Sequence, residues 1–171
     1  NEILGKPLGS YNPVHPNNHV NMSQSTNDVI PTTIRIASLF LFAPLIDSLE
    51  NLIKSFRTIA QKHSRLIKVG RTHLEDAVPI TVGQEFHAYA TMLEKTHKRF
   101  AIASQELLEL GIGGTALGSG INTNPSFQKK VVAKLAELTR FPLKPTDDLF
   151  ETTSSMNVFV TVSGACRALA V

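Results

Sequence analysis

Apolar residues recur along most of the chain at steps of three and four, the spacing that places them on one face of a helix. Ser25-Thr26-Asn27-Asp28 offers capping oxygens and Pro31 suits a first-turn position. Beyond them Leu45, Leu49, Leu52, Phe56 and Ile59 predict a helix reaching about His63. Within it, Ile34 to Ala43 is apolar almost all round, as expected of a helix buried in a larger bundle, and Pro44 should kink it. A second helix is expected from near Gly83, where Tyr89, Leu93, Thr96, Phe100, Ala103, Leu107 and Leu110 form a heptad-like seam suited to long, nearly parallel partners. Pro125 opens a third, with Phe127, Val131, Leu135 and Leu138 on one side. Phe141 to Pro145 ends it, and Asp147 or Asp148 caps a fourth that continues to the last residue.

The segments between read as connections. Residues 1–24 are rich in Pro, Gly and Asn, Lys68 to Pro79 reads as a loop, and Gly111 to Gly120 is a glycine-rich break. Val158 to Val162 is β-prone locally but lies in a helical context. The expectation is an all-α bundle. The seam and the all-round apolar stretch carry more apolar surface than four helices can hide, so self-association, as a tetramer, is expected through them.

Composition narrows the class. With 42% hydrophobic and 18% charged residues, the 171-residue chain reads as globular, with enough length for a sizeable core. The net charge of +3 comes from scattered Lys and Arg with two Tyr and no Trp, which argues against a nucleic-acid partner. The lone Cys166 excludes an internal disulfide and fits a reducing, cytoplasmic setting, with the thiol expected as a small buried side chain. The apolar run Ile36 to Ile46 is interrupted by Ser38 and Pro44 and is too short to span a bilayer, so no membrane association is expected. The chain opens without Met and stops in a helix-compatible run, so a longer functional protein is expected.

Three polar clusters could carry chemistry. Between His15 and Asp28 the amides and hydroxyls of Asn17, Asn18, Asn21, Ser23, Gln24, Ser25, Thr26 and Asn27 crowd ahead of a helix start, with Asp28 closing the run. Neutral donors beside free helix N–H groups suit an anion; capping alone would use two or three of them. A metal at His15 and His19 is not expected, because Pro16 opposes the helix that would align them and no Cys or nearby acid completes a ligand set. The second cluster, Gly70-Arg71-Thr72-His73-Leu74-Glu75-Asp76-Ala77-Val78-Pro79, reads either as a surface turn with a solvated charge pair or as a rigid loop facing a ligand. In the second case Thr72 would donate to a carboxylate and His73 would serve in proton transfer. The third, Gly111-Ile112-Gly113-Gly114, has no preceding strand and the wrong spacing for a dinucleotide loop, so close backbone approach is the better account.

All three clusters resemble the fumarase/aspartase family. His15 to Asp28 is similar to its first signature, HPND-HVN-x-SQS-[ST]-ND, and Gly70 to Pro79 to its second, GRTHLQDAVP. Gly113 to Asn122 resembles its G-[GA]-TA-x-G-[TS]-G-[LI]-N stretch. The resemblance runs along essentially the whole chain, with the blocks in family order. It implies a long-helix bundle, of which this chain is a fragment: residues 1–30 would close an N-terminal domain and 31–171 would open the central bundle. It also implies a homotetramer whose active sites are shared between subunits, and elimination from a small dicarboxylate to give fumarate without metal or organic cofactor. Ser25, Thr26, Asn27 and Thr72 match substrate-binding positions, His73 the substrate-contacting histidine taken here as catalytic, and His15, Asn17 and Asn18 a secondary anion site. The family's GSSxMPxKxNP loop, with its proton-abstracting serine, does not occur here, so this chain alone should lack the base.

Within the family, Thr26 and Arg35-Ile36-Ala37 lean toward aspartate ammonia-lyases. His73 leans toward fumarate hydratases, although several aspartases also have it. Ammonia elimination from L-aspartate is the preferred expectation, with malate–fumarate interconversion as the alternative. A non-catalytic helical oligomerisation scaffold is the rival from another class. Against it, Ser25, Thr26, Asn27, Thr72 and His73 all keep side chains suited to the chemistry.

Overall fold

The computed structural model describes residues Asn1 to Val171, which fall into two compact units. One comprises residues 1–37 and 108–156; the other comprises 38–107 and 157–171.

In the first unit the side chain of Asn1 ties down the opening segment, donating to the Val14 carbonyl at 2.7 Å and accepting the Val14 N–H at 2.9 Å. A single π-helical turn, Pro16–Val20, precedes the long helix α1, Thr26–Lys62. Because α1 starts at Thr26, Pro31 lies beyond the first turn expected for it, and the helix runs on unbroken through both Pro31 and Pro44. After residue 107 a two-residue strand β3, Glu109–Leu110, leads into the glycine-rich segment and helix α3, Phe127–Thr139. Strand β4, Lys144–Pro145, pairs in parallel with β3, and Asp148 then caps a short helix α4, Leu149–Ser154, by accepting from the N–H groups of Phe150 and Glu151. Val132 on α3 and Leu110 are fully buried and anchor this core. Thr146, itself buried, donates to Glu109 at 2.8 Å and accepts from Thr152, also at 2.8 Å, which locks the strand pair to α4.

The second unit holds the rest of α1, a hairpin of β1, Ile67–Thr72, and β2, Glu75–Thr81, helix α2, Val82–Leu107, and helix α5, Asn157–Ala170. Thr96, Phe100, Ala103 and Leu107 of the seam are buried on α2, and Phe42 of α1 meets Phe100 edge-to-face at 5.2 Å between ring centroids. Further along, Phe56, Phe86 and Tyr89 cluster, and Thr81 and Gln84 exchange the reciprocal bonds of a capping box at the start of α2.

Several expectations need correcting. The segment Lys68 to Pro79 is a β-hairpin rather than a loop; its strands are mostly exposed, so no buried face imposed a period of two on the sequence. The expected fourth helix is two, broken at extended Ser155 after the hydroxyl-rich Thr152-Thr153-Ser154, whose side chains bond backbone carbonyls. Cys166 is exposed, because the inward position on α5 goes to its neighbour Ala165. On α1, Leu39 and Phe42 are buried but Ile34, Phe40 and Leu41 are exposed. By length and composition α1 could cross a membrane, contrary to the reading of its apolar run as too short.

Candidate active site

The α1 start shows how the first cluster is used. Ser25 Oγ accepts the N–H of Asn27 at 3.2 Å, and Asp28 Oδ1 accepts the N–H of Ser25 at 2.9 Å, a reciprocal cap built from the Ser-Thr-Asn-Asp order. Asn27 donates from Nδ2 to the Ala116 carbonyl at 2.7 Å. Thr26 and Asn27 are exposed and Ser25 is half-buried, so the hydroxyls and the amide stand at the positive end of a long helix. Asp28 differs from them. It is 2% exposed, and its second oxygen accepts N–H groups of the glycine-rich segment. It therefore faces the interior, apart from the exposed amides and hydroxyls around it.

His15, Asn17 and Asn18 gather around the π-helical turn. His15 Nδ1 accepts the N–H groups of Asn17 and Asn18 at 3.1 and 3.3 Å, while His19 Nδ1 accepts the N–H of His15 at 2.8 Å. Both imidazoles are thus engaged with backbone, and no group of three His, Cys, Asp or Glu side chains assembles anywhere in the chain. The side chains of Asn17 and Asn18 are exposed.

Thr72 and His73 lie in the second unit, at the tip of the β1–β2 hairpin. Thr72 pairs with Glu75, so His73 and Leu74 form a two-residue connection with φ of 49° and 63°. That is the pattern of a type I′ turn, which twists as the strands do but is normally built from Asn and Gly. Below the tip the register slips between Val69 and Arg71, where Gly70 comes so close that a Cβ would stand 2.8 Å from the Val78 carbonyl oxygen. Arg71 and Asp76, both exposed, pair across the strands at 3.3 Å. The hairpin thus presents Thr72 and His73 outward on a rigid stem, with Leu74 almost wholly exposed beside them.

One constellation had no local signal in the sequence, because its members come from two helices. Arg57 of α1 donates from Nε and Nη2 to Glu94 of α2 at 2.9 and 2.7 Å, and its Nη1 lies 2.6 Å from His87 Nδ1. Hydrogen bonding from Arg57 holds the Glu94 carboxyl below its usual range, with Coulombic attraction adding to it, and Glu94 in turn raises the guanidinium. Arg57 and His87 edge a cleft of about 390 Å³ with Gln61, Ser64 and Gln84. The guanidinium is already neutralised by a carboxylate, so the arrangement braces α1 against α2.

Comparison with known proteins places this geometry. A family model described as lyase matches residues 1–171. The chain belongs to that lyase family. It is 47% identical over 171 residues to an aspartate ammonia-lyase of Pseudomonas aeruginosa, covering 99% of this chain and 36% of that protein. An aspartate ammonia-lyase of Bacillus subtilis is 44% identical over 166 residues, with 97% of this chain and 35% of that protein covered. Among solved structures, a fumarate lyase:delta crystallin from Brucella melitensis superposes with a TM-score of 0.91 at 41% identity, over 99% of this chain and 37% of that one. A class II fumarase from Schistosoma mansoni superposes with a TM-score of 0.86 at 30% identity, over 92% of this chain and 36% of that one. The lyase chain therefore spans about a third of the length of these relatives, and its long helices are those of the fumarase/aspartase fold. That relationship accounts for the apolar α1 as a bundle helix.

Proposed function

We propose that this chain is part of an aspartate ammonia-lyase, and that Ser25, Thr26, Asn27 and Thr72 bind the dicarboxylate while His73 assists as charge develops. The observation that carries the reading is the 47% identity to the Pseudomonas aeruginosa aspartate ammonia-lyase along 99% of the chain, clusters included. In the reaction a proton leaves the carbon next to a carboxylate, the C–H electrons become the carbon–carbon double bond, and the C–N bond breaks to release ammonia. The dianionic aci-carboxylate that forms on the way needs donors already in place. Hydroxyls and an amide at the N-terminus of α1 suit that charge, since the helix supplies a positive end and the side chains supply oriented hydrogens.

Thr72 and His73 on the hairpin complete the donor set in this reading, with the two clusters meeting across subunits of a homotetramer. His15, Asn17 and Asn18 form a secondary anion site on the π-helical turn. Residues 1–30 close an N-terminal domain, and 31–171 open the central bundle. Exposed Ile34 and Leu41 on α1 support burial against another copy.

Fumarate hydration is the second reading, favoured by the class II fumarase likeness at a TM-score of 0.86. The reverse reaction separates the two. Full-length protein given fumarate and ammonium should form L-aspartate, and omitting ammonium should stop fumarate consumption. Formation of L-malate from fumarate and water alone would replace the ammonia-lyase reading with the hydratase one.

A further inference from the structure

We infer that Asp28 is a positioning residue: a buried strut that ties the Ser25–Asn27 segment to the glycine-rich segment and so sets where the substrate-facing donors stand. The inference rests on the proposed substrate role of that segment. Its geometric half stands independently of that role.

A helix cap needs one acceptor, and Oδ1 of Asp28 supplies it to the Ser25 N–H at 2.9 Å. Capping does not explain Oδ2, which accepts the N–H groups of Gly113 at 3.1 Å and Thr115 at 2.9 Å, more than eighty residues along the chain. The same carboxylate thus holds two backbone stretches at once, while the preceding residue, Asn27, adds a parallel tie to Ala116. At 2% exposure the carboxylate has exchanged water for these N–H groups, so each of them matters.

The far end of the strut is firm. The glycine-rich segment closes on itself through bonds from Gly114 N to Gly111 O and from Gly118 and Gly120 N to Gly114 O. Gly113 has φ of 99°, and a Cβ there would stand 3.0 Å from Cβ of Gln128 on α3. The close approach expected of these glycines is therefore real, and its use is to bring the Gly113 and Thr115 N–H groups to Asp28. Only a carboxylate can serve both ends. An amide would keep one oxygen and turn an NH₂ toward N–H donors at the other.

The test is Asp28→Asn in the full-length protein, set beside Val132→Ala, which trims the same unit's core without touching the strut. Steady-state kinetics, thermal melting and amide hydrogen exchange are measured on each. Asp28→Asn should lower kcat/KM about a hundredfold, the penalty of displacing binding groups by roughly 1 Å, with KM rising as well as kcat falling. Exchange at Ser25, Gly113 and Thr115 should quicken. Val132→Ala should lower the melting temperature and leave KM unchanged. A folded Asp28→Asn with wild-type kcat/KM, or a loss that Val132→Ala reproduces at matched stability, would overturn the inference. If the Asn variant does not fold, Gly113→Ala keeps the carboxylate and the N–H, but its Cβ, at φ of 99° and 3.0 Å from Cβ of Gln128, forces that N–H out of line with Asp28; wild-type kcat/KM there would overturn it equally. Should the wild-type protein turn over no dicarboxylate, the functional reading fails by itself. The strut is then judged by exchange alone, and unchanged protection at Ser25 and Thr115 in Asp28→Asn sinks it.

Discussion

His73 and Leu74 stand side by side at φ of 49° and 63°, two non-glycine residues filling both central positions of one tight hairpin turn. A left-handed conformation costs an L-residue about 1–2 kcal/mol, and a leucine with no local hydrogen bond to offer recovers none of it. Backbone strain of this kind collects where a side chain must be held out at a fixed angle. Leu74→Gly should therefore stabilise the hairpin by up to about 1 kcal/mol, seen as roughly fivefold slower amide exchange across β1 and β2. Faster exchange in the glycine variant would mean that Leu74 is not strained.

The neighbouring pair tests whether the hairpin tip serves the site. Thr72→Ala should mainly raise KM, because its hydroxyl serves ground and transition states alike. His73→Asn should lower kcat by roughly ten- to a thousandfold, the range for one general acid–base or oxyanion contact. Both are exposed and outside the core, so circular dichroism should be unchanged. Normal kinetics in both variants would reduce the hairpin to a connector.

Acid should loosen the second unit. Glu94 is held below the usual carboxylate range chiefly by its hydrogen bonds from Arg57, and Glu85 chiefly by Lys68, whose Nζ lies 2.8 Å from both its oxygens. A lowered native pKa contributes stability that is present above the unfolded value, about 4.3 for Glu, and is lost as pH falls through the native one. Both pairs are partly exposed, so the effect is modest and screened by salt. Denaturant melts at falling pH should show a shallower acid loss in Glu94→Gln than in the wild type. Parallel curves would remove the Arg57 brace from the account.

Much of this was legible in the sequence. The seam on α2 identified Thr96, Phe100, Ala103 and Leu107 as inward, because a long half-buried helix records its burial as a period. Of the two cap candidates Asp147 and Asp148, Asp148 holds the cap, and the capping chemistry of Ser25 is likewise visible in its residue type. The hairpin escaped because mostly exposed strands leave no alternation, and because Gly70 and Pro79 look like loop residues when the Val78 carbonyl that Gly70 accommodates is not in view. Asp28 is a capping residue, as its place at the helix start predicts, but its second role leaves no local trace. The N–H groups that its other oxygen accepts come from the glycine-rich segment, far along the chain. The brace of Arg57, His87 and Glu94 was likewise invisible, since only the packing of two helices brings it together.

Assembly is open to a separate measurement. The exposed Ile30, Ile34 and Leu41 lie on one long helix, and the full-length protein is expected to sediment as a tetramer at micromolar concentration. A compact, stable monomer there would count against shared active sites.

The most direct test of the central claim is forward turnover by the full-length protein, with L-aspartate and L-malate offered in parallel and ammonia and fumarate both followed. Equal amounts of ammonia and fumarate from L-aspartate, with L-malate a poor substrate, is the expected result. Brisk fumarate formation from L-malate with no ammonia from L-aspartate would contradict it.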